Sequence, residues 1–569
     1  METREKLFLE LANDLVERYE LSTKFINKMI DAYHLNDCEQ ILGGLDKVSK
    51  LMLILNCAGF NIFSGSGDLV KDLRKHIIDK WDINVINHHF EKRGKEQGKS
   101  KVHRVRVLAE QKWSNGKYWA NTFVKESGFN ALFAGVKRDR NTQLNAYEDI
   151  DPFIKAPDLK DFQVYIKDKI IDNLNNLGDN AKCMISLPTG GGKTRTAVEA
   201  YTEWLRPRFS EGKYLIWIAQ SEELCEQAIA SIKQIWSSKE FSESLRVYRL
   251  FGKHNLDSDS MIGGVIVAGI NKLYNLVGSN DAELIEEIFA NCGAMIIDEA
   301  HRSTTMMYET VLAKAKDIRG ENIFPVCGLT ATPGRTSNTD ELSLLFKLKL
   351  ITPDLGEEFK SSPLKYFRKN GFLAKPIPHI IRTDIEIDIK EFSHNSDLSD
   401  IKDKLEDIFK NKYNKELAKN AQRNRLIISK LLQVPRGSQA LVYACTVDHA
   451  KLLSSIISYY GRTSVVISSD TPNHLRYIYI DKFKKGEIDF IFNHSVLTTG
   501  FDAPKTQHIF LCRPIFSDVL YEQIVGRGLR GPKFGGTPTC DIYDFSDTVL
   551  RFGDQQSYYR YKSFWEGEE

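Results

Sequence analysis

Short apolar runs separated by stretches of helical periodicity dominate the chain from about residue 159 onward. Such runs are typical of strands buried on both faces of a parallel sheet, and the intervals are long enough for crossover helices. The runs lie at residues 183–187, 214–219, 264–268, 294–297 and 325–329 and, after a charged interval, at 440–444, 464–467, 490–492, 508–511 and 540–545. The pattern predicts an α/β fold with two parallel-sheet lobes in tandem.

Residues 1–150 follow a different pattern. Apolar residues recur every three or four positions from Phe8 to Met29, which predicts amphipathic helices. We therefore expect a mainly helical accessory domain at 1–150, a first lobe at 151–370 and a second lobe at 371–569. The basic stretch Lys92–Arg106 is interpreted as a solvated loop, with contact to nucleic-acid phosphates as the alternative.

Composition and charge narrow the function further. Lys plus Arg number 78 and Asp plus Glu number 76, so the net charge is +2 and any nucleic-acid site must be a local patch. No apolar run approaches the ~20 residues of a membrane helix, and the charged N-terminus does not resemble a signal peptide. The nine cysteines form no CxxC pair, so we expect buried free thiols in the cytoplasm rather than a metal cluster.

A glycine-rich segment, Leu187–Thr194, follows the first apolar run and precedes a helical stretch. Glycines allow backbone N–H groups to turn toward phosphate oxygens, and the following helix directs its positive end at the anion. This context predicts a phosphate-binding loop for ATP and Mg²⁺, in which Lys193 contacts the β- and γ-phosphates and Thr194 binds the metal. The other predicted loop residues are Thr189, Gly190, Gly191 and Gly192.

An acidic pair follows the apolar run that ends at Ile297. A phosphate-loop ATPase needs carboxylates at the end of a neighbouring strand, and Asp298 and Glu299 occupy such a position. We expect Asp298 to hold Mg²⁺ and Glu299 to orient or deprotonate the attacking water.

The motifs, taken in order, resemble those of the DEAD/DEAH-box helicases of superfamily 2. Asp298–His301 matches the DEAH box, Gly328–Pro333 resembles motif III, and Gln523–Arg530 matches motif VI. The similarity extends over about residues 157–550 and is greatest to the helicase subunits of type I and type III restriction systems and their stand-alone relatives. The resemblance implies two RecA-like lobes.

The same resemblance implies roles for further residues. Gln163 would read the adenine edge, Asp502 would link the ribose to the bound strand, and Arg527 and Arg530 would reach the γ-phosphate from the second lobe. The spacing of the two arginines places them on one face of a helix. The hydroxyls expected to contact nucleic-acid phosphates belong to Ser221, Thr446, Thr498 and Thr499.

The sequence therefore indicates an ATP-dependent DNA helicase or translocase, acting in bacterial anti-phage defence or DNA repair with partner proteins. An RNA helicase is an open alternative, because backbone contacts do not readily exclude a 2′-hydroxyl. A second alternative is a motor subunit whose nuclease is a separate chain. A scaffold with an inactive ATPase fold is disfavoured, because Lys193, Asp298, Glu299, Arg527 and Arg530 are all present. Since every motif lies after Leu159, ATP chemistry is expected to survive deletion of residues 1–150.

Overall fold

The N-terminal part of the molecule is helical, and caps and apolar faces explain its helices. The computed structural model describes residues 2–92, 99–135, 147–150, 158–176, 181–188, 190–238, 244–257, 261–278, 282–300, 306–320, 324–330, 346, 349–386, 412–469, 471, 473–494, 497, 503–515, 521 and 524–548. Ser22 and Asp46 each accept a hydrogen bond from a backbone N–H in the first turn of the helix that follows. The helices are α1 Glu2–Glu17, α2 Thr23–Ala32, α3 Asp37–Leu42, α4 Lys47–Ala58, α5 Asp68–Asp79, α6 Ile83–Glu91, α7 Lys101–Ala109 and α8 Tyr118–Glu126.

The first lobe is built on an eight-stranded sheet of order β1-β4-β5-β3-β6-β7-β2-β8. All neighbouring strands are parallel except β1, which pairs antiparallel with β4. The strands are β1 Tyr147–Ile150, β2 Lys182–Ser186, β3 Tyr214–Ala219, β4 Leu245–Leu250, β5 Gly264–Gly269, β6 Cys292–Ile297, β7 Val326–Thr330 and β8 Leu350–Ile351. The apolar runs predicted as strands in this half are therefore confirmed as strands.

Helices cover both faces of this sheet, as crossover connections require. They are α9 Asp161–Leu174, α10 Lys193–Leu205, α11 Glu222–Ser238, α12 Ile270–Val277, α13 Ala282–Ala290 and α14 Met306–Arg319, followed by the short α15 Glu357–Ser361 and α16 Pro363–Lys369.

The second lobe has a six-stranded, all-parallel sheet of order β11-β12-β10-β13-β14-β9. Its strands are β9 Lys375–Glu386, β10 Gln439–Tyr443, β11 Ser464–Ile467, β12 Phe490–Asn493, β13 Thr506–Leu511 and β14 Thr539–Thr548. Its named helices are α17 Ala421–Gln433, α18 Val447–Tyr459 and α19 Asn473–Lys484. Two tandem parallel-sheet lobes preceded by helices confirm the predicted fold class.

Tyr147–Ile150 forms a strand of the first sheet. The first lobe therefore begins before residue 151, and the helical domain ends earlier than the expected boundary at residue 150. The N-terminal helices pack on the second lobe. Ser49 of α4 contacts the Tyr459 hydroxyl of α18 at 3.2 Å, and Arg425 of α17 donates to the Ile41 carbonyl at 3.3 Å. One apolar cluster runs from these helices into the second sheet.

Helix α18 is consequently buried on nearly all sides. His449, Ala450 and every residue from Leu452 to Ile457 are buried. A helix that packed only on the face of a sheet would keep its outer side exposed to solvent. The N-terminal domain and the second lobe therefore share a core.

All nine cysteines are free thiols, and all except the half-buried Cys57 are buried, as predicted. Among the helices of the described residues, none combines the length and the apolar character needed to cross a bilayer.

Candidate nucleotide site between the lobes

The glycine-rich loop connects β2 to α10, as predicted. Gly190 and Gly192 have φ angles of 89° and 87°, which favour glycine, and a Cβ on Gly192 would collide with Nε2 of Gln163. Lys193 begins α10, and its Nζ donates to the Leu187 carbonyl at 3.2 Å. Thr189 lies outside the described residues. The loop presents the N-terminus of a helix together with one lysine.

Gln163 connects α9 to this loop. Its Oε1 accepts from the Lys160 backbone N–H at 3.0 Å, and its Nε2 donates to the Gly191 carbonyl at 3.3 Å. The side chain is only 2% exposed, so these two bonds fix it beside the loop. Its contact with adenine stays a prediction.

The acidic pair lies at the carboxyl end of β6. The Asp298 N–H donates to the Ile218 carbonyl at 2.9 Å, and one Asp298 carboxylate oxygen accepts from the Glu299 N–H at 3.0 Å. Glu299 has φ 51°, a left-handed conformation that is unfavourable for a residue with a Cβ. Burial first, and then the charge of Glu299, raise the pKa of Asp298 to about 7, against the opposing influence of Lys193 and Arg527.

Charged groups from both lobes meet at the loop. Burial lowers the pKa of Lys193, the carboxylates of Glu299 and Asp298 oppose that shift, and the positive charges of Arg527 and Arg530 add to it. Arg530 Nη1 also donates to the Gly190 carbonyl at 2.6 Å. The structure therefore brings together the five residues predicted to be catalytic, although their roles remain predictions.

The expected helical arrangement of the two arginines is wrong. Residues 524–525 are helical, 526–528 form a turn, and Arg530 is an extended residue that pairs with Leu373 in an antiparallel bridge. Arg530 thus reaches the loop from a strand-like segment, because the chain pairs there with the connection between the lobes.

The donor atoms at the loop fit Mg²⁺. Thr194 supplies a hydroxyl beside the loop and Asp298 a carboxylate that is 8% exposed, and Mg²⁺ prefers oxygen ligands while keeping several waters and substrate phosphates. Over the part of the chain that the structure describes, no cluster of three or more His, Cys, Asp or Glu side chains could hold a metal alone. Thr194 and Asp298 would hold the ion together with nucleotide phosphates.

Two of the predicted phosphate-contacting hydroxyls cap helices. Ser221 Oγ accepts from the Leu224 N–H at 3.3 Å at the start of α11, and Thr446 Oγ1 accepts from the His449 N–H at 3.0 Å at the start of α18. Each hydroxyl proton can still be donated outward. Thr498, Thr499 and Asp502 lie outside the described residues.

The basic stretch of the N-terminal domain has partners within the domain. Lys101 Nζ donates to the Asp79 carbonyl at 2.7 Å, Arg104 bonds Asn87, and Arg106 lies 3.7 Å from Glu110. These contacts are those of an ordinary solvated surface. The expected loop is wrong for residues 101–106, which belong to helix α7, and residues 93–98 lie outside the described residues.

Leu373 lies at the site although no motif in the sequence points to it. Leu373 Cδ2 lies 3.0 Å from the position that a Cβ on Gly190 would occupy. Only the fold brings this apolar side chain to the loop.

Two family models match the chain. Residues 156–335 match the type III restriction enzyme, res subunit, and residues 423–531 match the helicase conserved C-terminal domain. The chain is 28% identical over 398 residues to IRC3 of Saccharomyces cerevisiae, which is described as an ATP-dependent helicase; the match covers 68% of this chain and 52% of the yeast protein. This chain thus spans about half the length of that relative.

A second relative is helicase 22 of the Sulfolobus islandicus filamentous virus, 23% identical over 438 residues, with 74% of this chain and 71% of the viral protein covered. Among solved structures, the DUF1998 helicase MrfA bound to DNA has a TM-score of 0.47 at 12% identity, covering 75% of this chain and 54% of that chain. An HsdR subunit fragment of a type I restriction enzyme from Vibrio vulnificus has a TM-score of 0.43 at 18% identity, covering 69% and 67%.

Proposed function

Because the chain belongs to the superfamily 2 helicases, we propose that it is a motor that hydrolyses Mg-ATP between its two lobes and moves on DNA. The observation that carries the proposal is the bond from Arg530 of the second lobe to the phosphate-loop carbonyl of Gly190, 2.6 Å long, beside Lys193 and the acidic pair. A site completed by both lobes makes nucleotide binding depend on how the lobes are arranged.

Each charged residue has a proposed role. Lys193 binds the β- and γ-phosphates, Glu299 orients the attacking water, and Arg527 and Arg530 stabilise charge that develops on the γ-phosphate. Bound Mg²⁺ supplies further neutralisation of phosphate oxygens. Arg530 exchanges the Gly190 carbonyl for a phosphate oxygen when nucleotide binds, so the second lobe responds to whether a γ-phosphate is present.

Movement follows if the two lobes hold the strand at separate points. Ser221 and Thr446 begin helices at the carboxyl ends of β3 and β10, one in each lobe, and their hydroxyls are proposed to donate to strand phosphates. Such contacts do not read sequence, so the motor would track any DNA backbone.

The test is steady-state ATP hydrolysis by the full chain with matched DNA and RNA strands. We expect DNA to stimulate hydrolysis, and Lys193→Ala to abolish it. Glu299→Gln should still bind ATP but hydrolyse it far more slowly. Stimulation by RNA alone would identify an RNA helicase, and hydrolysis retained in Lys193→Ala would refute the loop assignment.

We further propose a role in anti-phage defence or DNA repair, with a partner chain that carries any nuclease. The support is the match of the first lobe to a family described as a restriction-enzyme subunit. Nine free thiols suit a reducing compartment, so a cytoplasmic location is proposed as well. Plaque counts on cells carrying the wild-type chain or Lys193→Ala would test the defence role, with equal counts arguing against it.

A further inference from the structure

A short linker, Gly371–Ala374, connects α16 of the first lobe to β9 of the second and pairs with the segment that carries Arg530. The Ala374 N–H donates to the Leu529 carbonyl, the Gly531 N–H to the Phe372 carbonyl, and the Lys533 N–H to the Gly371 carbonyl, each at 3.0 Å. The linker and the segment Leu529–Lys533 therefore form one small two-stranded unit.

Leu373 of this linker lies against the phosphate loop. Its side chain is 2% exposed, and the position that a Cβ on Gly190 would take is 3.0 Å from Leu373 Cδ2 and 4.0 Å from Arg530 Cδ. Leu373 and Arg530 thus pair through their backbones and both contact Gly190. The leucine fills the space that sets how closely the arginine-bearing segment approaches the loop.

The neighbouring linker residue, Phe372, packs against α9, the helix that carries Gln163. The Phe372 ring centroid lies 5.0 Å from that of Phe162, the residue before Gln163, and 5.8 Å from that of Phe534. Phe372 therefore packs between α9 of the first lobe and the segment that follows Arg530, which holds the linker in register with the site.

From this geometry we infer that Leu373 is a positioning residue, which fixes the guanidinium of Arg530 at the phosphate loop. The inference rests on the proposed ATP hydrolysis and assigns to the linker a part in it. Loss of the leucine side chain leaves a gap beside Gly190, and the segment carrying Arg530 loses its fixed distance to the γ-phosphate. A misplacement of about 1 Å in a catalytic group can cost roughly 100-fold in rate.

The test compares Leu373→Ala, Arg530→Ala and the double variant in DNA-stimulated ATP hydrolysis. Leu373→Ala should lower kcat by roughly 10- to 100-fold with little change in KM for ATP. In the Arg530→Ala background the same change should add nothing, because a residue that acts only through Arg530 has no further effect once Arg530 is gone. Leu373→Met should restore most of the rate, since it conserves volume.

The matched control is Leu452→Ala, which removes the same atoms from a buried site on α18 away from the loop and should leave kcat unchanged. Should Leu373→Ala fail to fold, Gly531→Ala serves instead. Gly531 has φ −82°, so alanine is not strained there, but its Cβ would lie 2.5 Å from the Gly371 carbonyl oxygen and push the linker away. Gly44→Ala, with no atom within 4 Å of the new Cβ, is its control.

A normal kcat in Leu373→Ala, or a further loss of kcat in the double variant, would overturn the inference while leaving the proposed ATPase intact. Absence of hydrolysis by the wild-type chain would instead overturn the proposed function. A parallel fall in kcat and a rise in KM that Leu373→Met does not rescue would assign Leu373 a purely structural role.

Discussion

Glu299 is the residue proposed to orient the attacking water, and its backbone conformation is unfavourable. Substitution can separate the effect of the carboxylate on turnover from the effect of the backbone conformation on stability. The φ of 51° at Glu299 lies in the left-handed region, which costs an L-residue about 1–2 kcal/mol. Glycine avoids that cost but loses about 0.5–1 kcal/mol more backbone entropy on folding. Glu299→Gly should therefore be more stable than Glu299→Gln by roughly 0.5–1 kcal/mol, because both variants lack the charge and differ in the strain.

The assay is hydrogen exchange of backbone amides in β6, Cys292–Ile297, which ends at the acidic pair. A gain of about 1 kcal/mol slows exchange through local opening roughly fivefold. Both variants should lose ATP turnover to a similar degree, since the carboxylate is absent from each. The control is His34→Gly, at φ 58° in the N-terminal domain, which should slow exchange there and leave turnover unchanged.

Exchange in β6 that is equal in the two variants, or faster in Glu299→Gly, would show that the backbone of Glu299 is not strained. The left-handed conformation of residue 299 would then not lower the stability of the folded protein. If the prediction holds, the protein retains a strained residue where the carboxylate is needed, as functional sites commonly do.

Three further predictions follow from the packing and the charges. Deletion of residues 1–135 should yield an insoluble or poorly folded chain, because α18 loses its outer cover; a soluble truncated chain with normal ATP turnover would restore the expectation from sequence. Mg²⁺-dependent nucleotide binding should weaken below about pH 7 as Asp298 takes up a proton, and Glu299→Gln should move the midpoint of a binding titration to lower pH by removing a neighbouring negative charge. Burial lowers the pKa of His449 to about 3, so the unfolded chain binds that proton first; stability should fall as pH drops from about 6.5, and His449→Asn should flatten the slope of melting temperature against pH.

The strands that consist mainly of apolar residues could be predicted from the sequence. Strands β4 and β9, which contain charged residues or prolines, could not, and each has a physical explanation. Strand β4, Leu245–Leu250, contains Arg249, a residue type that is usually found on the surface. Arg249 is only 1% exposed and forms an ion pair with Glu226 at 2.9 Å. Its partner lies on α11, so only the folded chain explains how the charge is buried. Strand β9 contains Pro376 and Pro378 and lies at the edge of its sheet, the place where missing N–H donors are tolerated.

The residues around the phosphate loop could be predicted because they belong to short sequence motifs. The contacts that these residues make with the other lobe could not be predicted. Nothing in the sequence relates Leu373 to Arg530, since their pairing depends on how the second sheet brings β9 beside β14. The same limit applies to the N-terminal helices, whose apolar faces are visible in sequence although their partner, α18, is not.

Displacement of a third strand from a duplex track measures whether ATP hydrolysis drives movement on DNA. The full chain is predicted to displace the strand only with Mg-ATP, while Lys193→Ala binds the track and displaces nothing. An RNA duplex of the same sequence should not support displacement. ATP hydrolysis without any displacement, or equal displacement by Lys193→Ala, would contradict the account.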